Sequence, residues 1–479
     1  MIFFRNSIRG GMSFIATRRA KSDYIDSDVK NCSKRMTHIR YIDGNNLYGS
    51  QMIFNLPTHD YRLEGKSFIK KIERKLKNHV PIDMNERGMF LEVDLEYPEG
   101  IHNQHEDFPM APERYIVKYN ELSPLNQHLY RKMKTSDFFT NYAEEKLIPT
   151  FHDRKNYVLH IQCLIFYLSQ GMVLKRIHRI VSFQHRPFLK EYILSLTQLR
   201  SMFSAKNQTF FVNVFKLLAN STYGKFIQNP NNFTHAKLCL NENDFRKAIN
   251  SNRFLRSSVI NKDVVIVEHK PEKILYDSPF PVGATILELA KLHLYYYYYE
   301  ILKPSFLPDK VKLLMTDTDS LIFSVNCENF FDKYKKLPLF DFSNFPKNNA
   351  MYCEKNRKAL LYFKDENPND YIKEFIGLRS KLYVIKTVSN HEDKKCKGYN
   401  RKFRDSLLTF ETYKRCHKDL NLYRFPLISI RGEDQQLYTV IQNKVVLNNF
   451  DSKMYVCNCN VHTFFYGSKH INDVCKRCY

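Results

Sequence analysis

The fold of this chain is most constrained by the stretch KLLMTDTDSLIFSV, residues 312–325, where two aspartates interrupt an apolar sequence. The flanking runs KVKLLM and LIFSV have the length and the apolar, β-branched content of buried strands. Aspartate favours turns because its carboxylate can accept hydrogen bonds from nearby backbone N–H groups. The pattern therefore predicts a β-hairpin with Asp317 and Asp319 at its tip.

Two neighbouring carboxylates repel each other, and both stay ionised at low cost only beside positive charge. A divalent cation that prefers oxygen ligands, such as Mg²⁺, would supply it. A solvated turn is the structural alternative. Asp43 offers a third carboxylate, because RYIDGNNLYGSQM (40–52) predicts a short strand that turns at Gly44. Two metal ions about 3.5–4 Å apart can clamp the attacking and leaving oxygens of a phosphoryl transfer.

A third stretch, KLLANSTYGK (216–225), lies in a segment that predicts a helix stopping near Gly224. Lys216, Asn220 and Tyr223 fall at i, i+4 and i+7, so they share one face. A cation, an amide and an aromatic ring on one face suit a nucleotide. The alternative is an ordinary amphipathic helix with an exposed lysine.

The composition favours a polyanionic partner. The 479 residues include 74 Lys and Arg against 50 Asp and Glu, a net charge of +24 that is spread along the chain. Such a charge predicts nucleic-acid binding, although a basic soluble protein without that partner remains the alternative. The hydrophobic fraction of 43% is enough for a folded core.

No segment predicts membrane insertion. The longest apolar run, IQCLIFYLSQGMVL from Ile161, is too short to span a bilayer and predicts a buried helix. LHLYYYYYEIL from Leu292 predicts an aromatic helix in the core. The 11 cysteines lack the spacing of a disulfide framework, so we expect a reducing, intracellular compartment.

The C-terminal tail carries a possible zinc site. Cysteine and histidine at short spacing can hold Zn²⁺, although Cys-x-Cys is not the usual spacing and plain thiols are the alternative. The candidate ligands are Cys457, Cys459, His462, Cys475 and Cys478.

Taken together and in this order, DGNNLYGS, KLLANSTYGK, DTDS and KLY resemble the motifs of family B DNA polymerases, in the protein-primed branch of organellar, viral and Maverick/Polinton-like elements. The resemblance extends over nearly the whole chain. It implies an α+β right-hand polymerase fold, with a palm of antiparallel sheet plus helices, helical fingers and a small thumb. It also implies a DNA-directed DNA polymerase, a nucleotidyltransferase that replicates a virus or mobile element.

The resemblance further implies a division of the chain. In chain order, the regions are the exonuclease-to-polymerase linker and start of the palm with motif A (1–57), an insertion like the terminal-protein region (58–150), palm helices (151–189), fingers with motif B (190–228), a second insertion (229–275), palm with motif C and KxY (276–390), and thumb with C-terminal tail (391–479).

Residue roles follow from the same resemblance. Asp43 and Asp319, with Asp317 beside them, would be catalytic and would hold two Mg²⁺ ions. Tyr48 would lie under the incoming sugar and exclude a 2′-hydroxyl. The further residues expected to contact the nucleotide are Leu47, Lys216, Asn220, Tyr223, Arg200 and Lys206.

Four residues would contact DNA. Lys381 and Tyr383 would hold the primer terminus, while Gly10 and Gly11 match a loop that contacts the template strand. The implied reaction is attack of a primer 3′-hydroxyl on the α-phosphate of a dNTP. The implied partners are primer–template DNA, dNTPs and a terminal protein that supplies the first hydroxyl. We expect a monomer, in the nucleus or at a viral replication site.

Relatives carry a proofreading exonuclease domain before the glycine pair, whereas too few residues precede Gly10 here to form a domain. We therefore expect no proofreading activity in this chain. A catalytically inactive DNA-binding remnant is the main alternative function, and a polymerase that copies RNA is another. The retained carboxylates argue against the remnant, and the NSTYG and KLY motifs argue against the RNA-copying enzyme.

Overall fold

The computed structural model describes residues 2–23, 36–85, 87–135, 143–275, 277–433 and 436–471. Within these ranges, no helix combines the length and the apolar character that a membrane span requires.

The N-terminal segment contributes three strands to a central sheet. Its elements are α1 (Ile2–Arg5), β1 (Ser13–Ile15), β2 (Arg19–Lys21), β3 (Met36–Gly44) and α2 (Leu47–Gln51). Asn46 has a left-handed conformation, with φ 51°, and its side chain accepts a hydrogen bond from the N–H of Gly49. This cap turns the chain sharply from β3 into α2, as the sequence predicted.

A second sheet has four strands in the order β4-β9-β5-β8. The elements of this region are β4 (Leu56–Leu63), α3 (Lys66–Lys77), β5 (Arg87–Glu96), β6 (Glu113–Tyr115), α4 (Pro124–Lys134), β7 (Lys146–Ile148), β8 (Arg154–His160), α5 (Ile161–Ser169) and β9 (Val173–Arg186). Short 3₁₀ turns lie at Glu99–Ile101 and Tyr119–Glu121.

The prediction of palm helices over residues 151–189 was wrong. One helix, α5, lies there between two strands that pair with β5. The cause is visible in β9, where Leu174, Ile177 and Ile180 are buried three residues apart. Bulges in the β5–β9 pairing shift the register and break the alternation of two that marks a strand, so the apolar spacing imitates a helix.

A helical hairpin follows, formed by α6 (Lys190–Ala205) and α7 (Thr209–Phe226). The predicted helix is confirmed, but Gly224 does not end it, because the helix continues to Phe226. Beyond it, residues 229–275 form a separate small sheet in the order β10-β12-β11. Its elements are a 3₁₀ turn (Pro230–Asn232), β10 (His235–Cys239), α8 (Glu242–Ile249), β11 (Phe254–Asn261) and β12 (Val264–His269).

The chain then returns to the core through α9 (Phe280–Tyr296), which runs on through a π-helical turn (Tyr297–Leu302) into α10 (Lys303–Phe306). The tyrosine-rich stretch packs in the core as predicted, since Tyr295, Tyr297 and Tyr298 are buried. After a 3₁₀ turn (Pro308–Lys310), the elements are β13 (Val311–Asp317), β14 (Ser320–Cys327), α11 (Phe330–Tyr334), β15 (Phe340–Asp341), β16 (Phe363–Asp365), β17 (Ile372–Arg379), β18 (Leu382–Thr387) and β19 (Glu392–Cys396).

The central sheet has ten strands, of which seven follow the order β1-β13-β14-β3-β17-β18-β19. The predicted β13–β14 hairpin is confirmed, and β3 pairs antiparallel with β14. The alternating stretch 375–386 does not form one strand, because the structure divides it between β17 and β18. Lys381 lies in the turn between them and has a φ of 60°. Glycine is the residue that usually adopts this conformation, and because position 381 is a lysine, the sequence gives no indication of the turn.

The C-terminal part consists of α12 (Arg401–Leu407), α13 (Phe410–Asp419), the long hairpin β20 (Tyr423–Glu433) and β21 (Gln436–Leu447), and the short hairpin β22 (Tyr455–Val456) and β23 (Thr463–Phe464). Its end packs against the N-terminal strands. The Thr463 hydroxyl donates to the carbonyl of Ala16 over 2.8 Å, and the N–H of Arg18 donates to the carbonyl of Val461 over 2.8 Å.

The glycine pair lies against the tip of the β13–β14 hairpin. The N–H of Thr318 donates to the carbonyl of Met12 over 2.7 Å. A Cβ atom added to Gly11 would lie 2.7 Å from Cγ2 of Thr318, whereas one added to Gly10 would meet nothing within 4 Å. Gly11 is therefore required by close packing under the hairpin tip.

We expect Gly11→Ala to destabilise the protein by about 1–3 kcal/mol, because Thr318 is β-branched, has a φ of 69° and cannot easily move away. Thermal unfolding would measure the loss, and Thr318→Ser, which removes Cγ2, should restore part of it. Gly100→Ala is the control, since a Cβ there meets nothing within 4 Å. Equal effects of the two glycine substitutions would contradict the packing argument.

Candidate active site

Three carboxylates meet at one edge of the central sheet. Asp43 is opposite Ser320 in the β3–β14 register, and Asp317 is opposite the same serine across the hairpin. Asp319 lies in the turn, where its N–H donates to the carbonyl of Asp317 over 2.8 Å and its carbonyl accepts from the N–H of Gly44 over 2.9 Å. The backbone thus holds all three residues in place, as the sequence predicted.

The electrostatics at this edge are unfavourable for three negative charges. Burial, followed by the nearby charges of Asp43 and Asp317, raises the pKa of Asp319 to about 7. Burial also raises the pKa of Asp43, although Lys364 and Lys216 oppose this change. A cation placed among these carboxylates would favour their ionised forms.

The donor chemistry of the three aspartates fits a hard divalent cation. Lysines pair with two of them here, since Lys364 Nζ is 3.2 Å from Oδ2 of Asp43 and Lys381 Nζ is 3.2 Å from Oδ1 of Asp317. Among the residues that the structure describes, no three Asp, Glu, His or Cys side chains form a ready group of metal ligands. Two observations therefore support a divalent cation at this place: the carboxylate oxygens are suitable donors, and the pKa of Asp319 is raised.

A cavity of about 550 Å³ opens beside Asp43 and Asp319, between α2 and the α6–α7 hairpin. Six of the residues predicted to contact a nucleotide line it: Leu47, Tyr48, Arg200, Lys216, Asn220 and Tyr223. Lys206 does not line it, because it caps the C-terminus of α6, where its side chain is exposed. The shared helix face predicted for α7 is thus turned toward the carboxylates.

Two tyrosines form a flat wall of the cavity. The rings of Tyr48 and Tyr223 stack with centroids 4.3 Å apart and planes 6° from parallel. Burial and the nearby Asp319 raise the pKa of Tyr48 to about 12, so its hydroxyl stays protonated at neutral pH. The stack fixes the position of the Tyr48 ring at the mouth of the carboxylate site.

The cavity is also lined by Lys358 and Lys364, two cations that were not predicted from the sequence. Lys358 Nζ donates to the hydroxyl of Ser204 over 2.7 Å, and its backbone N–H donates to Asp341 over 2.7 Å. Burial lowers the pKa of Arg200, whose Nε is buried without a hydrogen-bond partner among the described residues. Lys358 lies outside any helix or strand, so no periodic pattern marks it in the sequence.

The predicted DNA-contacting residues have different environments. Lys381 is partly exposed and reaches Asp317. Tyr383 is only 2% exposed, packs in the core, and places its hydroxyl 3.5 Å from that of Tyr41. Its role at a primer terminus stays a prediction, as does the template contact of Gly10 and Gly11.

The tail brings part of the predicted zinc site together. Sγ of Cys459 lies 3.5 Å from Nδ1 of His462, and the N–H of Cys457 donates to the carbonyl of His462. Cys475 and Cys478 lie outside the described residues. Zinc binding therefore stays a prediction.

The raised pKa of Asp319 predicts a pH-dependent stability of the metal-free protein. Its pKa of about 7 in the fold exceeds the ordinary value of 3.8, so its stabilising contribution is present below about pH 4 and is lost as the pH rises to about 7. The Asp319→Asn variant should not lose stability in this way as the pH rises, because the asparagine side chain does not ionise. Urea unfolding in excess chelator across this range would measure it, with the exposed Asp309→Asn as control. A pH-independent difference between wild type and Asp319→Asn would contradict the assignment.

Comparison with known proteins identifies the family and the fold. The sequence model of the family described as DNA polymerase type B, organellar and viral, matches residues 26–296. The orthorhombic crystal form of Phi29 DNA polymerase superposes with a TM-score of 0.55 at 16% identity, over 93% of this chain and 62% of that chain. Phi29 DNA polymerase complexed with primer-template DNA, a post-translocation binary complex, gives a TM-score of 0.51 at 16% identity, over 92% and 62%.

No curated protein matches the sequence. The chain spans less than two thirds of the length of the Phi29 structures, and it shares their right-hand polymerase fold. Because the family match covers more than half of the chain, this protein belongs to the organellar and viral family of type B DNA polymerases.

Proposed function

We propose that this chain is a DNA-directed DNA polymerase that adds dNTPs to a primer 3′-hydroxyl. The observation that carries the proposal is the meeting of Asp43, Asp317 and Asp319 at one sheet edge, beside a cavity that is lined by cations and by stacked aromatic rings. Family membership supports the same reaction class.

The parts of a polymerase can be assigned on this basis. The central sheet with α9 would be the palm, the α6–α7 hairpin the fingers, and α12 to β21 the thumb. The four-stranded sheet and the small sheet of residues 229–275 would be the two insertions. The first insertion then extends to Arg186, because β9 belongs to its sheet.

The nucleotide triphosphate would occupy the cavity. Arg200, Lys216 and Lys358 line it from three different segments and would surround the β- and γ-phosphates. The buried Nε of Arg200 is a donor that such a phosphate would satisfy. These cations face Asp43 and Asp319, so the α-phosphate would lie between the two sets of charges.

Asp43, Asp317 and Asp319 would hold two Mg²⁺ ions, which activate the primer hydroxyl and neutralise charge on the triphosphate when bound. The chain itself orients the reactants. Backbone hydrogen bonds at Gly44 and Asp319 fix the carboxylates, and the helix face of α7 presents Lys216 to the phosphates. Because the donors are held before the substrate enters, little reorganisation is needed during the reaction.

The Tyr48–Tyr223 stack would form the floor under the sugar and the new base pair. The ring of Tyr48 is held by Tyr223 and by the apolar side chains around it, so it cannot swing aside to admit a larger sugar. We propose that this ring selects deoxyribonucleotides over ribonucleotides by exclusion of the 2′-hydroxyl.

The net charge of +24 supports primer–template DNA as the partner. We also propose that the initiating hydroxyl comes from a terminal protein, as in protein-primed systems. Two insertions that lie in the expected order along the chain support this second proposal.

Asp319→Asn should abolish primer extension and leave DNA binding nearly intact, because it removes a metal-binding charge at a turn that the backbone holds. Extension of a short primed template with Mg²⁺ and dNTPs measures the first property, and fluorescence anisotropy measures the second. Asp309→Asn, in the 3₁₀ turn that precedes β13, is the matched control and should extend normally. DNA binding without extension by the wild-type protein would favour the inactive remnant instead.

Tyr48→Ala should raise ribonucleotide incorporation at least about tenfold relative to dNTP incorporation, which corresponds to about 1.4 kcal/mol of lost discrimination. Competition between rNTP and dNTP in single-nucleotide extension would measure the ratio. Tyr48→Phe keeps the stacked ring and should retain discrimination. An unchanged ratio in Tyr48→Ala would overturn the role of this ring.

A further inference from the structure

A tight turn links the last two short strands of the tail, β22 and β23. The N–H of Cys457 donates to the carbonyl of His462 over 3.0 Å, and the N–H of Asn460 donates to the carbonyl of Cys457 over 2.9 Å. Asn460 has a φ of 59°, a left-handed conformation that asparagine adopts more readily than most residues. The backbone therefore folds back between the two strands and brings Cys459 and His462 side by side.

The sulfur of Cys459 accepts two backbone hydrogen bonds in this turn. The N–H groups of Val461 and His462 both point at Sγ of Cys459, over 3.4 and 3.5 Å. A thiol sulfur is a weak acceptor, and two converging N–H donors favour the ionised thiolate. The thiolate is the form of cysteine that binds metal ions. The turn thus prepares one sulfur ligand through its own backbone.

The imidazole of His462 lies at the distance expected of a second ligand. Its Nδ1 is 3.5 Å from Sγ of Cys459. A tetrahedral zinc ion with a Zn–S bond of about 2.3 Å and a Zn–N bond of about 2.0–2.1 Å separates its sulfur and nitrogen ligands by about 3.5–3.6 Å. A weak hydrogen bond between thiol and imidazole has a similar length, and the metal content of the protein distinguishes the two arrangements.

The sequence supplies a second pair of ligands at the same spacing. Cys459 and His462 form a Cys-x-x-His pair, and Cys475 and Cys478 form a Cys-x-x-Cys pair, with residues 463–474 between them. Cys475 and Cys478 lie outside the described residues, and within those residues no third His, Cys, Asp or Glu joins the first pair. Two such pairs match a closed structural zinc site in the number and the type of ligands.

Cys457 is not a member of either pair. It directly follows β22, and its backbone closes the hairpin through the hydrogen bond to His462. Because the two pairs already provide four ligands, we expect Cys457 to be dispensable for metal binding. It offers a control of the same residue type within the same turn.

The turn also holds the N-terminal segment of the chain. The N–H of Arg18 donates to the carbonyl of Val461 over 2.8 Å. Thr17 pairs with His462 as an isolated antiparallel bridge. The guanidinium of Arg18, which is buried, also donates to the side chain of Asn460. The turn therefore contacts the segment that follows β1, and β1 pairs with β13 of the carboxylate hairpin.

We propose that Cys459, His462, Cys475 and Cys478 bind one structural Zn²⁺ ion, which fastens the C-terminal tail to the N-terminal segment beside the carboxylate edge. An ion with four protein ligands has no open position for a substrate, so its contribution is to stability. Metal binding supplies folding free energy at a place where β1, β22 and β23 are only two or three residues long. The inference does not depend on the proposed polymerase function.

The first measurement is the zinc content of the full chain, after exposure to excess Zn²⁺ and removal of loosely bound metal on a chelating resin. Atomic emission should find about one Zn²⁺ per chain in wild type and in Cys457→Ser, and much less in Cys459→Ser and Cys475→Ser. Cys353→Ser, which removes an exposed cysteine elsewhere, is a second control and should keep its zinc.

Zinc-free wild-type protein, or full zinc content in Cys459→Ser, would overturn the proposal. Loss of zinc from Cys457→Ser would reject the assignment of the two pairs, because that cysteine would then be a ligand.

A second measurement uses only wild-type protein, so it does not require Cys459→Ser to fold. Co²⁺ in place of zinc should give the intense visible bands of a tetrahedral ion and the charge-transfer band of cobalt–thiolate bonds. Zinc should also protect the three ligand cysteines from alkylation, and a chelator should expose them, while Cys353 reacts in both states. An octahedral cobalt spectrum, or alkylation of Cys459 that is equal with and without zinc, would contradict the ligand set.

Hydrogen exchange followed by mass spectrometry tests whether the ion fastens the two ends together. Removal of zinc from wild type should lower the melting temperature by several degrees and raise exchange in peptides that cover residues 455–464 and 13–18. Exchange in the buried helix α9 should not change. If zinc removal left exchange in residues 13–18 unaltered, the link between the ion and the N-terminal segment would be rejected.

Discussion

The pairing of β3 with β14 is the interaction on which the site depends. Asp43 lies in β3, whereas Asp317 ends β13 and Asp319 lies in the turn that leads into β14, and these segments are far apart in the sequence. Their register sets Asp43 opposite Ser320, and the hydrogen bond from Gly44 to the carbonyl of Asp319 closes the edge. A slip of one residue would turn Asp43 to the other face of the sheet, because side chains alternate along a strand. The packed core under these strands, which includes Ile42, Leu321 and Phe323, therefore sets the spacing of the charges above it.

The carboxylates in turn explain the distribution of positive charge around them. Arg200, Lys216, Lys358 and Lys364 lie on the cavity side, and Lys381 lies beside Asp317. These cations come from separate segments: the α6–α7 hairpin, the loop before β16 and β16 itself on the cavity side, and the turn between β17 and β18 beside Asp317. Positive charge from several segments thus surrounds the three carboxylates.

Local sequence patterns were enough to predict the parts of the site, but not its surroundings. The acidic tip of the β13–β14 hairpin, the end of β3 and the face of α7 each follow from residues within one element, where turn chemistry and helical periodicity act over a few positions. The β9 strand could not be recognised, because its bulges remove the alternation that defines a strand. Lys358 and Lys364 could not be recognised either, since their positions depend on a loop without a periodic pattern and on the long-range pairing of β16 with β3.

The contacts between the two ends of the described chain bear on the order of assembly. The carbonyls of Ile15 and Ala16, in and just after β1, accept hydrogen bonds from Thr463, and β1 itself flanks the β13–β14 hairpin. Several hundred residues separate β1 from its partner in the tail. Because ribosomes add about 5–20 residues per second, β1 waits for that partner while the rest of the chain is made. The carboxylate hairpin is therefore made before the last contacts that hold its neighbouring strand. During translation the chain therefore carries all three carboxylates before β1 has its partner in the tail, and this edge of the sheet is completed only after Thr463 has emerged.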